Sequence, residues 1–169
     1  MIKPQLLLRL SGLAAILGGL LRIVAAAPLT LSAQDAEALY DVIDILLLFG
    51  LMGIYLVRAA HFGFGGLTAF IVGVAALSFI GGPDADVFGF STYQEGATLL
   101  ALALAALSIV WLARKHKPFA PPVLWLGSVI AAGALGAVPA AAPFAMAAAG
   151  VLFALGFIAA GSDLLGTPR

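Results

Sequence analysis

The chain has 169 residues, of which 63% are hydrophobic and 9% are charged, and its mean hydropathy is +1.16. Soluble domains carry about 25% charged residues, so this composition excludes a surface that meets water on all sides and predicts one that meets lipid. The formal net charge is zero, which gives no electrostatic reason to expect a nucleic-acid partner, and the lack of cysteine excludes disulfides and thiolate chemistry.

Six apolar segments are long enough, or nearly long enough, to cross a membrane as helices. A bilayer core of about 30 Å needs about 20 apolar residues in a helix. Continuous runs of Ala, Leu and Gly favour helices over the alternating strands of a membrane barrel. The sequence therefore predicts an all-α fold, a polytopic six-transmembrane-helix bundle in a single domain over residues 1–169. The expected spans are approximately 5–27, 36–58, 62–81, 94–114, 120–138 and 142–161.

The first span resembles a signal peptide, because Lys3 and Arg9 precede an apolar run that ends in small residues at 25–27. The run is long for a signal core, and Pro28 would follow the cleavage point, where proline usually blocks cleavage. We therefore expect this segment to be retained as a transmembrane helix that ends at Pro28.

The second span begins with acidic residues in a helical pattern. Ser32 and Asp35 form a capping-box motif ahead of it. Polar residues then recur at intervals of three and four, which places them on one helix face: Gln34, Glu37, Asp41 and Asp44. Arg22 lies at a similar depth near the end of the first span. We therefore expect an ion pair between Arg22 and Asp44, or Arg22 shared with Asp41.

The third and fourth spans repeat features of the first two. Residues 81–83 end the third span, and Thr92 with Glu95 forms a second capping box ahead of the fourth. Tyr40 aligns with Tyr93 after a shift of 53 residues, which indicates three helical hairpins related by a weak repeat. Chance similarity between apolar hairpins is the alternative. The hairpins would cover about 5–60, 61–117 and 118–165.

The last two spans have the weakest boundary. Pro121 and Pro122 suit the first turn of the fifth span, but the separator at 138–143 carries no charge, so the two are either full crossings or a re-entrant pair. Glycines in the first and fifth spans let helices approach closely in lipid: Gly12, Gly18, Gly19, Gly127, Gly133 and Gly136. They indicate either a tight bundle or a homo-oligomer or partner-subunit surface.

Charge is distributed unevenly between the predicted loops. With the N-terminus in the cytoplasm, every basic residue except Arg22 lies on the cytoplasmic side, and every acidic residue except Asp163 lies on the other. Because Lys and Arg are retained on the cytoplasmic side, we predict a multi-pass protein of the bacterial inner membrane with both termini in the cytoplasm. His61 and His116 fall in predicted cytoplasmic loops, which argues against a histidine-ligated metal or haem within the bilayer.

A few polar residues are candidates for ligand binding or a buried ion pair: Arg22, Asp41, Asp44, Glu95, Tyr40 and Tyr93. They form either a pair that fixes helix register or an outward-facing pocket for a small cation or polar ligand. Glu95 also fits a helix cap, and the tyrosines fit membrane-interface anchors.

No motif predicts a catalytic residue, a metal or a cofactor. We therefore expect a non-enzymatic accessory, assembly or structural membrane subunit that is embedded in the lipid bilayer. A transporter or channel for a small molecule or ion, and an integral membrane enzyme, are the alternatives.

Overall fold

The computed structural model describes residues 4–27, 30–80, 86–87 and 89–166. These residues are helical apart from the connections and one antiparallel pair of two-residue strands, β1 (Asp86–Val87) and β2 (Phe90–Ser91). The helices are α1 (Pro4–Ala25), α2 (Ala33–Ile80), α3 (Thr92–Ala113), α4 (Ala120–Ile130), continued by a π-helical segment (Ala131–Leu135), and α5 (Ala142–Gly166). Several residues on which the sequence-based predictions depend lie outside the residues that the structure describes: Lys3, Pro28, residues 81–84 and Arg169.

The long helix α2 folds back on itself at Gly63. This residue has φ 59° and ψ −159°, a conformation that is essentially restricted to glycine. The rings of Tyr55 and Phe70 stack with centroids 4.2 Å apart, whereas a straight helix would hold residues 55 and 70 roughly 22 Å apart. Further from the break, a Cβ on Gly73 would lie 3.2 Å from Cδ2 of Leu51. Residues 33–62 and 64–80 are therefore two antiparallel arms of a helical hairpin.

Among the residues that the structure describes, four helices are long and apolar enough to cross a membrane: α1, α2, α3 and α5. The segment Ala120–Leu135 is apolar but shorter. These helices support a multi-pass helical membrane protein, but they do not by themselves establish the six expected spans. Large apolar side chains on the outside of the bundle fit the same conclusion, since lipid accepts the surface that water would not. On α1 they are Leu6, Leu7, Leu10, Leu13, Leu17, Leu20 and Val24.

The helices pack as a closed ring, in which each helix contacts its neighbours in the chain and α1 also contacts α5. Backbones approach closely where Gly12 of α1 meets Gly161 of α5. A Cβ on Gly12 would lie 2.8 Å from the carbonyl oxygen of Gly161, and one on Gly161 would lie 2.5 Å from that of Gly12. Glycine in the first span therefore serves packing within the bundle. Gly133 and Gly136, by contrast, would place a Cβ with nothing within 4 Å.

The predicted helix caps are found at α2 and shifted by one residue at α3. The Asp35 backbone N–H donates to the Ser32 hydroxyl at 3.1 Å, as the capping-box motif requires. At α3 the cap is Ser91, whose hydroxyl accepts from the backbone N–H of Gln94 at 3.2 Å. Thr92, the expected cap, is the first residue of the helix, because Ser91 already satisfies the free N–H group.

The two ends of the bundle differ in charge. We call the end at which α1 finishes and α2 and α3 begin the acidic end, after Asp35, Glu37, Asp41 and Glu95. The other end, which contains the Gly63 turn and the connection from α3 to α4, is called the basic end. It carries Arg58, Arg114, Lys115 and Lys117.

Candidate functional site

A cavity of about 160 Å³ lies inside the ring near the acidic end, and every helix contributes to its wall. Its polar lining consists of few side chains: Arg22 from α1, Tyr40 and Asp44 from α2, Tyr93 from α3 and Ser128 from α4. The remaining wall is mostly apolar and includes Leu47, Leu104, Trp125 and Phe153. A few converging polar groups in an apolar cavity are typical of small-molecule sites.

Arg22 and Asp44 share this cavity without forming the predicted contact pair. The Arg22 guanidinium carbon lies 5.5 Å from the centroid of the Tyr40 ring. Among the described side chains, neither Arg22 nor Asp44 forms an ion pair, although the two charges attract each other at longer range. The Arg22–Asp44 or Arg22–Asp41 ion pair stays a prediction, and in the structure the Arg22 guanidinium lies over the Tyr40 ring.

The structure brings together part of the predicted site. Arg22, Tyr40, Asp44 and Tyr93 line the cavity, whereas Asp41 and Glu95 do not. Glu95 is exposed in the first turn of α3, where a negative charge favours the helix N-terminus. Tyr40 and Tyr93, which a shift of 53 residues aligns in the sequence, therefore both line this cavity.

Part of the cavity wall has π-helical geometry. Ala132, within Ala131–Leu135, lines the cavity beside Val129 of α4. A π-helical turn widens the helix by one residue and occurs frequently at functional sites. The sequence carries no clear signal for this turn.

A second polar site, which the sequence analysis did not identify, lies at the basic end. Arg58 is only 1% exposed, forms an ion pair with Asp163 of α5, and donates a hydrogen bond to the Ile54 carbonyl oxygen at 3.2 Å. Its guanidinium carbon lies 4.2 Å from the centroid of the Trp111 ring. Arg58 thus connects α2, α3 and α5 through one buried cation.

Two histidines extend this basic-end site toward the surface. The rings of His61 and His116 stack with centroids 4.6 Å apart, and Nε1 of Trp111 donates to the His116 carbonyl oxygen at 2.8 Å. Burial lowers the pKa of His116 below its usual 6.5, and the nearby charges of His61 and Arg58 lower it further.

Comparison of the chain with protein-family models, curated proteins and solved structures finds no match. Among the described residues, no group of three or more His, Asp or Glu side chains is placed to hold a metal ion. The functional interpretation therefore depends on the cavity and the basic-end site themselves.

Buried aromatic side chains separate the two sites. Trp125 lines the cavity and lies edge-on to Trp111, with centroids 6.2 Å apart. Phe62 also packs against Trp111, with ring centroids 5.6 Å apart. None of the three is more than 1% exposed; we call them the aromatic plug, in which Trp125 borders the cavity and Trp111 contacts Arg58.

Two exceptions in the charge distribution of the sequence indicate where both polar sites lie. Among the described residues, Arg22 is the one basic residue toward the acidic end and Asp163 is the one acidic residue toward the basic end. Arg22 lines the cavity, and Asp163 pairs with Arg58. A charged side chain within a bundle of apolar helices needs a compensating environment, and both residues lie at polar sites.

Proposed function

We propose that this chain is a membrane protein that binds a small molecule in the acidic-end cavity and acts as a transporter or ligand carrier. The observation that carries the proposal is that Arg22 and Asp44 line one cavity without contacting each other. A pair with a purely structural role would be expected to neutralise itself by direct contact, since charges at membrane depth are costly. Charges that remain apart in a cavity are available to a ligand.

As part of this proposal, the chain crosses the membrane six times. The antiparallel arms of α2 would supply two crossings, and α4 with its π-helical segment would supply another. Residues 64–80 and Ala120–Leu135 are each about 25 Å long, so local thinning of a 30 Å bilayer core would have to accommodate them. The weak repeat of three hairpins belongs to the same proposal.

The charge distribution supports an orientation in which the basic end faces the bacterial cytoplasm. The cavity would then face outward. The aromatic plug of Phe62, Trp111 and Trp125, with the Arg58–Asp163 pair behind it, would close the inner side. Alternating access would require this plug to open.

An accessory or structural membrane subunit is the second candidate. It is favoured by short connections such as residues 114–119 and by the open surface at Gly133 and Gly136, where a partner or a second copy could pack closely. This role does not require access from water to the cavity, whereas ligand binding does.

Cysteine accessibility distinguishes the two candidates, because the chain contains no cysteine. Ser128→Cys places a thiol in the cavity wall. Ser108→Cys is the matched control, since Ser108 is 0% exposed and does not line the cavity. The proposal predicts that a small charged methanethiosulfonate, applied from the acidic side, modifies Ser128→Cys and spares Ser108→Cys. If both thiols stay unreactive and native mass spectrometry shows oligomers, the accessory role is favoured.

A further inference from the structure

The charges of the cavity set a requirement for its ligand. Arg22 and Asp44 contribute one positive and one negative group, and neither has an ion-pair partner among the described residues. A ligand that is only a cation would pair with Asp44 and leave the Arg22 guanidinium without a counter-charge. A ligand that is only an anion would pair with Arg22 and leave the Asp44 carboxylate without one. Since an unpaired charge in a low-dielectric site is costly, a ligand with both charges complements the cavity best.

The apolar part of the wall lies next to the polar part. The Arg22 guanidinium reaches α5, where a Cβ on Gly150 would lie 3.9 Å from its Nη2. Phe153 follows on the next turn of α5 and lines the cavity together with Trp125 and Leu104. A ligand whose charged head lies between Arg22 and Asp44 would therefore direct a short apolar group toward these side chains.

The size of the cavity limits that group. A cavity of about 150 Å³ in another protein holds one benzene molecule, and the present cavity is about 160 Å³. It can take one ring or one branched chain of a few carbons, and it is too small for an extended acyl chain.

We infer that the cavity takes a small zwitterion with one compact apolar group, which is the chemistry of a free apolar α-amino acid. This inference rests on the proposed binding function, and it adds the class of ligand. The ammonium group pairs with Asp44 and the carboxylate with Arg22, and the side chain fills the space beside Trp125 and Phe153.

Three probes that differ only in charge test the inference on the unmodified protein in detergent or nanodiscs. They are L-leucine, 3-methylbutylamine, which lacks the carboxylate, and 4-methylpentanoate, which lacks the ammonium group. Binding is followed by calorimetry and by tryptophan fluorescence, to which Trp125 in the cavity wall contributes. We expect L-leucine to bind about tenfold or more tightly than either analogue, since each charge-assisted contact is worth roughly one order of magnitude in affinity.

Two variants then assign the contacts. Arg22→Gln should weaken the binding of L-leucine and tighten that of the amine, because the guanidinium that the amine leaves unpaired is gone. Asp44→Asn should weaken the binding of L-leucine and tighten that of 4-methylpentanoate for the same reason. Because the comparison of probes uses the wild-type chain, it remains decisive if a variant does not fold.

The outcomes separate the two proposals. If either analogue binds as tightly as L-leucine, the zwitterion inference is overturned while the binding function stands. Binding of a short-chain phosphatidylethanolamine in place of L-leucine would overturn the amino-acid assignment in favour of a lipid headgroup. If no probe binds and Ser128→Cys is unreactive, the binding function fails as well.

Discussion

Substitution of Asp163 by asparagine removes the negative charge that faces Arg58. The side chain keeps its size, so the change tests the charge and its hydrogen bond. Arg58 would remain buried, with its guanidinium against Trp111 and one hydrogen bond to the Ile54 carbonyl oxygen. The variant therefore leaves a buried cation without its counter-ion.

The expected loss follows from the burial of the two partners. Removing one member of a fully buried pair costs about 3–5 kcal/mol. Asp163 has a side chain that is 35% exposed, so water can replace part of its interaction, and the contact of Arg58 with Trp111 survives. We expect Asp163→Asn to lower the free energy of unfolding by about 2 kcal/mol, close to the value of a charge-assisted hydrogen bond.

A double-mutant cycle isolates the pair from other effects. The double variant Arg58→Met with Asp163→Leu should lie within about 1 kcal/mol of the wild type, since an apolar pair replaces a buried ion pair at little cost. Arg58→Met and Asp163→Leu alone should together lose more than the double variant loses.

Unfolding in mixed detergent micelles can be followed by tryptophan fluorescence. The chain has two tryptophans, Trp111 and Trp125, and their rings are in contact, so the signal reports on this region. Glu37→Gln is the control, since Glu37 is exposed on the acidic end, and it should change stability by less than about 0.5 kcal/mol. Equal effects of Asp163→Asn and Glu37→Gln, or strictly additive single variants, would refute the reasoning.

Three further variants test packing, the hairpin and the histidine pair. Gly12→Ala should lower the unfolding free energy by about 1–3 kcal/mol, because its Cβ would lie 2.8 Å from a backbone oxygen of α5. Gly133→Ala should not lower it, because a Cβ there would meet open space. Equal effects of the two variants would count against the close packing. Gly63→Ala should cost about 1–3 kcal/mol in the same assay, because its positive φ suits only glycine, and an unchanged stability would contradict the sharp turn. His116 has a pKa lowered mainly by burial and further by His61, so the unfolded chain binds its proton more readily. Stability should therefore fall as the pH decreases through 6.5, and His116→Asn should flatten this dependence in thermal melts; an unaltered dependence would exclude His116 as its source.

The main features of the fold could be predicted because hydrophobic length and charge asymmetry are local properties of the sequence. The expected spans 36–58 and 62–81 place the break in α2 at residues 59–61, and the structure has it at Gly63. The residue that breaks the helix is the glycine that can take the required conformation, and several glycines nearby made the choice ambiguous. The Ser32 cap followed from its motif, whereas at α3 two adjacent hydroxyl residues, Ser91 and Thr92, competed for the same role.

The sites were harder to predict because they depend on how helices distant in sequence turn toward each other. Helical spacing placed Asp41 and Asp44 on one face, but the cavity includes only Asp44. The approach of Arg58 to Asp163, on helices far apart in the chain, depends on the packing of α2 against α5. No local pattern encodes that packing, although Asp163 as the exception to the charge distribution pointed to it.

The reversal of α2 at Gly63 is the claim on which the account depends, because it returns the chain to the acidic end, where Ile80 and Tyr93 line the cavity together with Asp44. Single cysteines at Gln34, His61 and Gln94, all exposed positions, can be labelled in sealed vesicles with an impermeant maleimide. The account predicts that Gln34→Cys and Gln94→Cys react from one side and His61→Cys from the other. Reaction of Gln34→Cys and Gln94→Cys from opposite sides would mean that α2 crosses once, and would contradict it.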